Sequence, residues 1–485
     1  MKFYKTSNKS VLILLLAVQI VFSQTLFSQD KQQKIADLVQ KYSELGQFNG
    51  TVLVAEGDNI IYKAAFGDAD IENKIPNKID TKFRLASITK QFTATLIMQL
   101  VEKGKIKLDG KLSEYLPYYR KDIGDRVTIS QLLSHTAGIS NYTDDPQFMQ
   151  SEVKNKIVPR DFVLKFCSRD LVFEPGSNWQ YSNSGYFILG AVIEEVTGKT
   201  YEQAVQENIF TPLGMTNSGY EHSDMTYENK AKGYSSLFDE FKPARFIDMT
   251  IPFSAGSLYS TVEDMYKWDR ALYTEKILSK ASIEKMFTPV MNDYGFGWKT
   301  GEQPIGDVKK KVVMHSGGIF GFSSMEIRLI DDKNYIMALN NTESGSLDQL
   351  TLGITNILYG LEPAKPKKSL ATELSKFIKE KGIEKAIIEI NAAKEKKDEY
   401  KANEREINQL GYILLQGGKV NEAVEVLKFN TELYPESSNV YDSLGEAYAA
   451  SGDKEKAILN YKKSIELDPN NENGKETLKK LESGK

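Results

Sequence analysis

The chain has 485 residues, 41% of them hydrophobic and 26% charged, with a net charge of −4. That length exceeds one ordinary core and sets an expectation of two folded domains, and the composition excludes wholesale disorder. Basic and acidic residues are interspersed without a basic stripe, which argues against nucleic acid as a partner.

Lys2, Lys5 and Lys9 precede an apolar run from Val11 to Phe22 that only Gln19 interrupts. This pattern reads as a secretory signal peptide over 1–28, with cleavage after Ser23 or Ser28. The run is short for a membrane span of ~20 residues, so no stable membrane insertion is expected after cleavage. The only cysteine, Cys167, cannot form an internal disulfide and is expected to be buried and inert. Export without disulfides suits a bacterial periplasm or surface.

After the signal, Gln33 to Leu45 has helical spacing. Gly50 to Ala55 and Ile60 to Phe66 read as two strands, joined by Gly57-Asp58-Asn59 as a hairpin. Helices are expected around Lys90 to Glu102 and Gly185 to Thr197. Val312 to His315, Ser324 to Ile330 and Tyr335 to Asn340 then return to strand pattern. Two early and three late strands around a helical middle imply an α+β domain over 29–362. In it both ends of the domain close one antiparallel sheet. Pro363 to Ser369 reads as a stiff, charged linker.

From 370 to 485 the pattern is helical and repeats. Leu410-Gly411 recurs as Leu444-Gly445, Ala423 as Ala457, Leu427 as Tyr461 and Pro435 as Pro469, always 34 residues apart. These positions resemble tetratricopeptide repeats, in which small residues let paired helices approach closely. Leu374 to Lys401 is helical but out of register, as a degenerate or capping unit would be.

The chemistry centres on Ser87-Ile88-Thr89-Lys90, which opens an apolar helix. A spacing of three stacks the hydroxyl and the amine one turn apart on one face. At a helix start, free N–H groups and the dipole favour developing negative charge near Ser87. A serine hydroxyl needs a base beside it, and a buried lysine can become one because burial lowers its pKa. Tyr181-Ser182-Asn183 precedes the second helix, supplying a phenol that can relay protons and an amide that can hold a substrate amide. His315-Ser316-Gly317-Gly318 ends a strand with glycines, whose N–H groups can approach a substrate oxyanion. Lys299-Thr300-Gly301 is a rival for that third element, but it enters a polar loop. Tyr227-Glu228-Asn229 repeats the second spacing and reads as a surface loop, and His135 reads as fixing a loop. Three scattered histidines and one cysteine do not make a zinc site. No P-loop or dinucleotide fingerprint is placed between a strand and a helix, so no metal or other cofactor is expected.

In this order the motifs, with Phe83-Arg84-Leu85-Ala86 and Leu132 to Gly138, resemble the serine β-lactamase and penicillin-binding peptidase superfamily. The likeness is to the branch of class C β-lactamases, D-alanyl-D-alanine carboxypeptidases and related esterases, and runs from about Phe48 to Tyr359. It implies that Ser87 forms an acyl-enzyme, that Lys90 and Tyr181 share proton transfer, and that Tyr181 helps activate the deacylating water. It further implies that Asn183, His315 and Gly317 line the substrate site and that the N–H groups of Ser87 and Gly318 form an oxyanion hole. His315 stands where many members carry lysine. That weakens the case for a carboxylate-binding cation and favours esterase or peptidase work. The alternative is an interaction scaffold that recruits an exported protein through its repeats, with a weakly active or inactive hydrolase fold.

Overall fold

The computed structural model describes residues 29–238, 240–343 and 346–483, so the signal-peptide expectation lies outside the described residues. The chain divides into two compact units. One holds the described residues up to Ser236 with Phe241–Ala364, and the other runs from Lys365 onward together with Leu237–Glu240.

The first unit contains α1 (29–44), β1 (Gly50–Glu56), β2 (Asn59–Ala65), α2 (Thr89–Glu102), α3 (Asn183–Thr197), β3 (Lys299–Ile305), β4 (Val308–Ile319), β5 (Phe322–Leu329), β6 (Asn334–Asn340) and α4 (Leu347–Leu358). The strands form one antiparallel sheet in the order β3-β4-β5-β6-β1-β2. β1 lies between β2 and the late strand β6, so both ends of the domain do close the sheet. Six of its seven residues are buried, because helices cover both faces.

Alternation along the strands sorts the two cores. Leu53, Val313, Met337 and Leu339 face the large core shared with α2 and α3. Val52, Val54, Val312, Ile336 and Ala338 face the smaller core built with Ile35 and Val39 of α1 and Leu350 and Ile354 of α4. Cys167 is buried and unpaired in the large core, where burial pushes its thiol up to about 12.

Two strand expectations need correction. β3, which includes Lys299-Thr300-Gly301, is a strand and not a polar loop. Glu302, Gln303 and Pro304 are exposed on the sheet edge, where only one side of the strand is paired and polar residues and proline are tolerated. β4 also continues past His315 to Ile319, so the His-Ser-Gly-Gly run lies inside the strand.

The second unit is helical: α5 (Leu370–Lys381), α6 (Ile383–Lys394), α7 (Glu404–Gln416), α8 (Val420–Leu433), α9 (Ser438–Ser451), α10 (Lys454–Leu467) and α11 (Glu472–Ser483). A Cβ on Gly411 would lie 2.5 Å from Leu427, and one on Gly445 would lie 3.1 Å from Tyr461. The recurrent glycine is therefore the space that lets each α7/α8 and α9/α10 pair close. The stretch from 374 to 401 is not one helix. Gly382, at φ 76°, separates α5 from α6. Tyr400–Lys401 forms a short parallel pairing with Lys368–Ser369, which belongs to the expected linker.

Candidate active site

Ser87 lies in a single 3-10 turn, Ala86–Ile88, that leads directly into α2. Every residue of α2 from Thr89 to Leu100 is buried, as expected for a helix running through a core. The turn is strained: Ala86 has φ 49°, a conformation that costs a residue with a Cβ ~1 kcal/mol or more. Its neighbour Leu85 is held on two sides, by its N–H to the Leu258 carbonyl (2.8 Å) and by its carbonyl to the Ser324 hydroxyl (2.9 Å). Gly317 completes the clasp. A Cβ there would sit 2.2 Å from the Leu85 carbonyl oxygen. The expected role of Gly317 as a substrate contact is thus corrected: it is buried against the nucleophile turn and admits β4 to it.

Lys90 is fully buried, and its Nζ reaches three oxygens: Ser87 Oγ at 3.1 Å, Asn183 Oδ1 at 2.8 Å and the Ala255 carbonyl at 2.9 Å. None is a carboxylate. Burial holds the amine well below the ordinary lysine value. The Tyr181 ring lies 4.8 Å from Nζ, and the Ser87 side chain is the polar group beside its hydroxyl. Burial raises the phenol above its usual range, so it stays protonated.

Asn183 opens α3, which Ser182 caps by accepting the Gly185 N–H at 3.2 Å. The Asn183 amide is oriented from both ends. Nδ2 donates to Thr143 Oγ1 at 3.1 Å while Oδ1 accepts from Lys90. His135 stands behind this segment. Its Nδ1 accepts the Ser182 N–H at 3.1 Å, and its ring packs on Tyr181 at 4.4 Å. Burial keeps it neutral, and its contacts position Tyr181 and Ser182.

His315 is placed differently from the expectation that it lines the substrate site. It is buried, and both ring nitrogens are engaged. Nδ1 donates to the Ser316 carbonyl at 2.6 Å, and Nε2 accepts from the Tyr294 hydroxyl at 2.9 Å. Burial, reinforced by the nearby Lys90, lowers it to about 3, so it carries no charge at neutral pH. The rival Lys299 is registered opposite Met314, on the other face of the sheet from His315. The segment Gly295 to Trp298 is buried behind α2 and does not border the cleft. Tyr227 stacks on Tyr259 and lies outside the cleft lining.

A cavity of about 250 Å³ opens over Ser87, with Asn183, Thr143 and Gly318 on its wall. Tyr294, Ala255 and Thr143 carry no signal in the sequence that marks them as part of this site. Tyr294 directly precedes the run Gly295-Phe296-Gly297-Trp298, but its contact with His315 spans 21 residues. Ala255 contributes only a carbonyl, which leaves no side-chain signal. Among the described residues, no group of three or more His, Cys, Asp or Glu could hold a metal ion.

A β-lactamase family model matches residues 35–355, and a tetratricopeptide repeat model matches residues 438–471. Penicillin-binding protein 4* of Bacillus subtilis (strain 168) is 35% identical over 355 residues, covering 68% of this chain and 77% of that protein. A putative penicillin-binding protein of the same organism, PbpX, is 35% identical over 273 residues. The match covers 56% of this chain and 65% of that protein, just under two thirds of its length. The penicillin-binding protein structure from Bacillus halodurans has 30% identity and a TM-score of 0.59, covering 66% of this chain and 98% of that one. A D-stereospecific amidohydrolase structure from Streptomyces sp. has 26% identity and a TM-score of 0.56, covering 66% and 96%. The chain therefore belongs to the β-lactamase family of serine hydrolases, with a tetratricopeptide repeat in its C-terminal part.

Proposed function

We propose that this protein is an exported acyl-transfer hydrolase that cleaves an ester or amide through an acyl-enzyme on Ser87. The observation that carries the reading is the set of partners around Lys90. A neutral amine has two N–H groups and one lone pair. Asn183 Oδ1 and the Ala255 carbonyl accept the two hydrogens, and the third partner is Ser87 Oγ. With the amine neutral, as burial favours, this leaves its lone pair for the serine hydroxyl, the arrangement a general base requires.

In this scheme Ser87 Oγ bonds to the substrate carbonyl carbon while its proton passes to Lys90 Nζ. The N–H groups of Ser87 and Gly318 stabilise the resulting oxyanion. The bond to the leaving oxygen or nitrogen then breaks, and that atom takes the proton from Lys90 by way of Tyr181. Water next attacks the acyl-enzyme, and its proton passes by way of Tyr181 to Lys90, Tyr181 giving up one proton as it takes the other. The acid leaves and Ser87 regains its hydrogen. The Streptomyces neighbour, described as an amidohydrolase, supports the amide option.

Export rests on the N-terminal pattern and on relatives that are bacterial penicillin-binding proteins. Among the described residues, no helix is long and apolar enough to cross a membrane. The repeat unit is proposed to bind an exported protein partner, and a polar hollow lined by Arg405, Asn408, Tyr434 and Asn439 supports that role. A fluorophosphonate probe tests the enzymatic reading. It is expected to label the wild type at Ser87 and to leave Ser87→Ala unlabelled. Equal labelling of both would remove the nucleophile.

A further inference from the structure

The cleft over Ser87 is divided by chemistry. Its polar lining side chains are Ser87, Thr143 and Asn183, and its apolar lining is Met149, Ile247, Ile251, Pro252, Ile319 and Phe320. Tyr142 adds a ring but not its hydroxyl, which donates to the Ile251 carbonyl at 3.1 Å. Among the described residues, none that lines the cleft is charged.

The basic side chains nearest the cleft are uncharged or committed elsewhere. Lys90 is spent on its three oxygen partners. Lys299 belongs to the far face of the sheet. His315 has both nitrogens engaged. Arg245 lies 5.4 Å from the Phe320 ring, and one terminal nitrogen donates to the carbonyls of Met149 and Gln150. It is exposed and ties the outside of the apolar wall together without lining the cleft.

An acyl group carrying a carboxylate would therefore lose its hydration here without gaining a partner, whereas a hydrocarbon acyl group gains from the same burial. Resting on Ser87 as the nucleophile, we infer that the cleft selects acyl donors whose acyl part is uncharged and apolar, and rejects those bearing a carboxylate.

The test compares two esters with one leaving group and equal acyl length, p-nitrophenyl hexanoate and p-nitrophenyl monoadipate, on the full chain. Fluorophosphonate labelling of Ser87 is read in parallel. The expected result is a kcat/KM at least about 100-fold higher for the hexanoate, with Ser87 labelled. Ile247→Arg, which places a cation on the apolar wall, is expected to cut that ratio at least tenfold while Ser87 still labels. If Ser87 labels and the adipate is turned over within threefold of the hexanoate or faster, the substrate inference is overturned and the nucleophile stands. An adipate preference that disappears in Arg245→Ala would overturn it in favour of a rim anchor. Absence of labelling at Ser87 would overturn both. Should Ile247→Arg fail to fold, the wild-type ester pair decides alone.

Discussion

The repeat unit and the catalytic cleft are assembled from opposite kinds of contact. In the repeats, Gly411 meets Leu427 and Gly445 meets Tyr461, neighbours within one helix pair, and the same contact recurs along the chain. In the cleft, Lys90 meets Asn183 and Ala255 across separations of 93 and 165 residues, and nothing recurs. Periodic apolar contacts leave a spacing that can be counted in the sequence. A single polar constellation leaves only the residues whose chemistry is distinctive.

This contrast predicts where substitutions are felt. Ser87→Ala is expected to lower ester turnover by about 10⁴-fold or more, because it removes the bond-forming atom. Stopped assays on p-nitrophenyl hexanoate would show it, and turnover within tenfold of wild type would contradict the assignment. Lys90→Met keeps the length but not the amine, and a loss of about 10²–10⁴-fold is expected. In the wild type, the active form carries the neutral amine. The kcat/KM profile should therefore fall as pH drops through the depressed lysine value, with the limb well below the ordinary lysine range. A limb at the ordinary lysine value would break the link between burial and basicity.

Tyr294→Phe is expected to lower turnover by about tenfold, since it leaves His315 Nε2 buried without a donor. His315 stays neutral throughout the physiological range, so no inflection between pH 5 and 8 is expected from it. Gly411→Val should leave hexanoate turnover unchanged and destabilise the repeat unit by about 1–3 kcal/mol, read as a lower melting transition. The smallest effect is expected for Lys299→Ala, with turnover within twofold of wild type. A large loss would place that lysine at the cleft after all.

The sheet was legible wherever strands alternate or are wholly apolar, as in β1 and β6. It was not legible at β3, because an edge strand carries the polar residues and proline that also mark loops. At the cleft, Ser87, Lys90, Tyr181 and Asn183 could be picked out because hydroxyl, amine, phenol and amide announce their chemistry, and the fold brings them into contact. His315 was picked out from its glycine-rich strand end and the family resemblance, yet it faces Tyr294 and Ser316. No motif states which way a strand residue turns its ring. Ala86 and Gly317 act through backbone shape, and Ala255 through a carbonyl, which alanine and glycine do not advertise in a sequence.

The most direct test of the Lys90 arrangement is the side-chain nitrogen itself. An NMR titration of ¹⁵Nζ-labelled protein, with the Lys90 signal assigned by its loss in Lys90→Met, should show a neutral amine at pH 7.5. An ammonium signal at Lys90 persisting to pH 10 would contradict the account, because no lone pair would then be directed at Ser87.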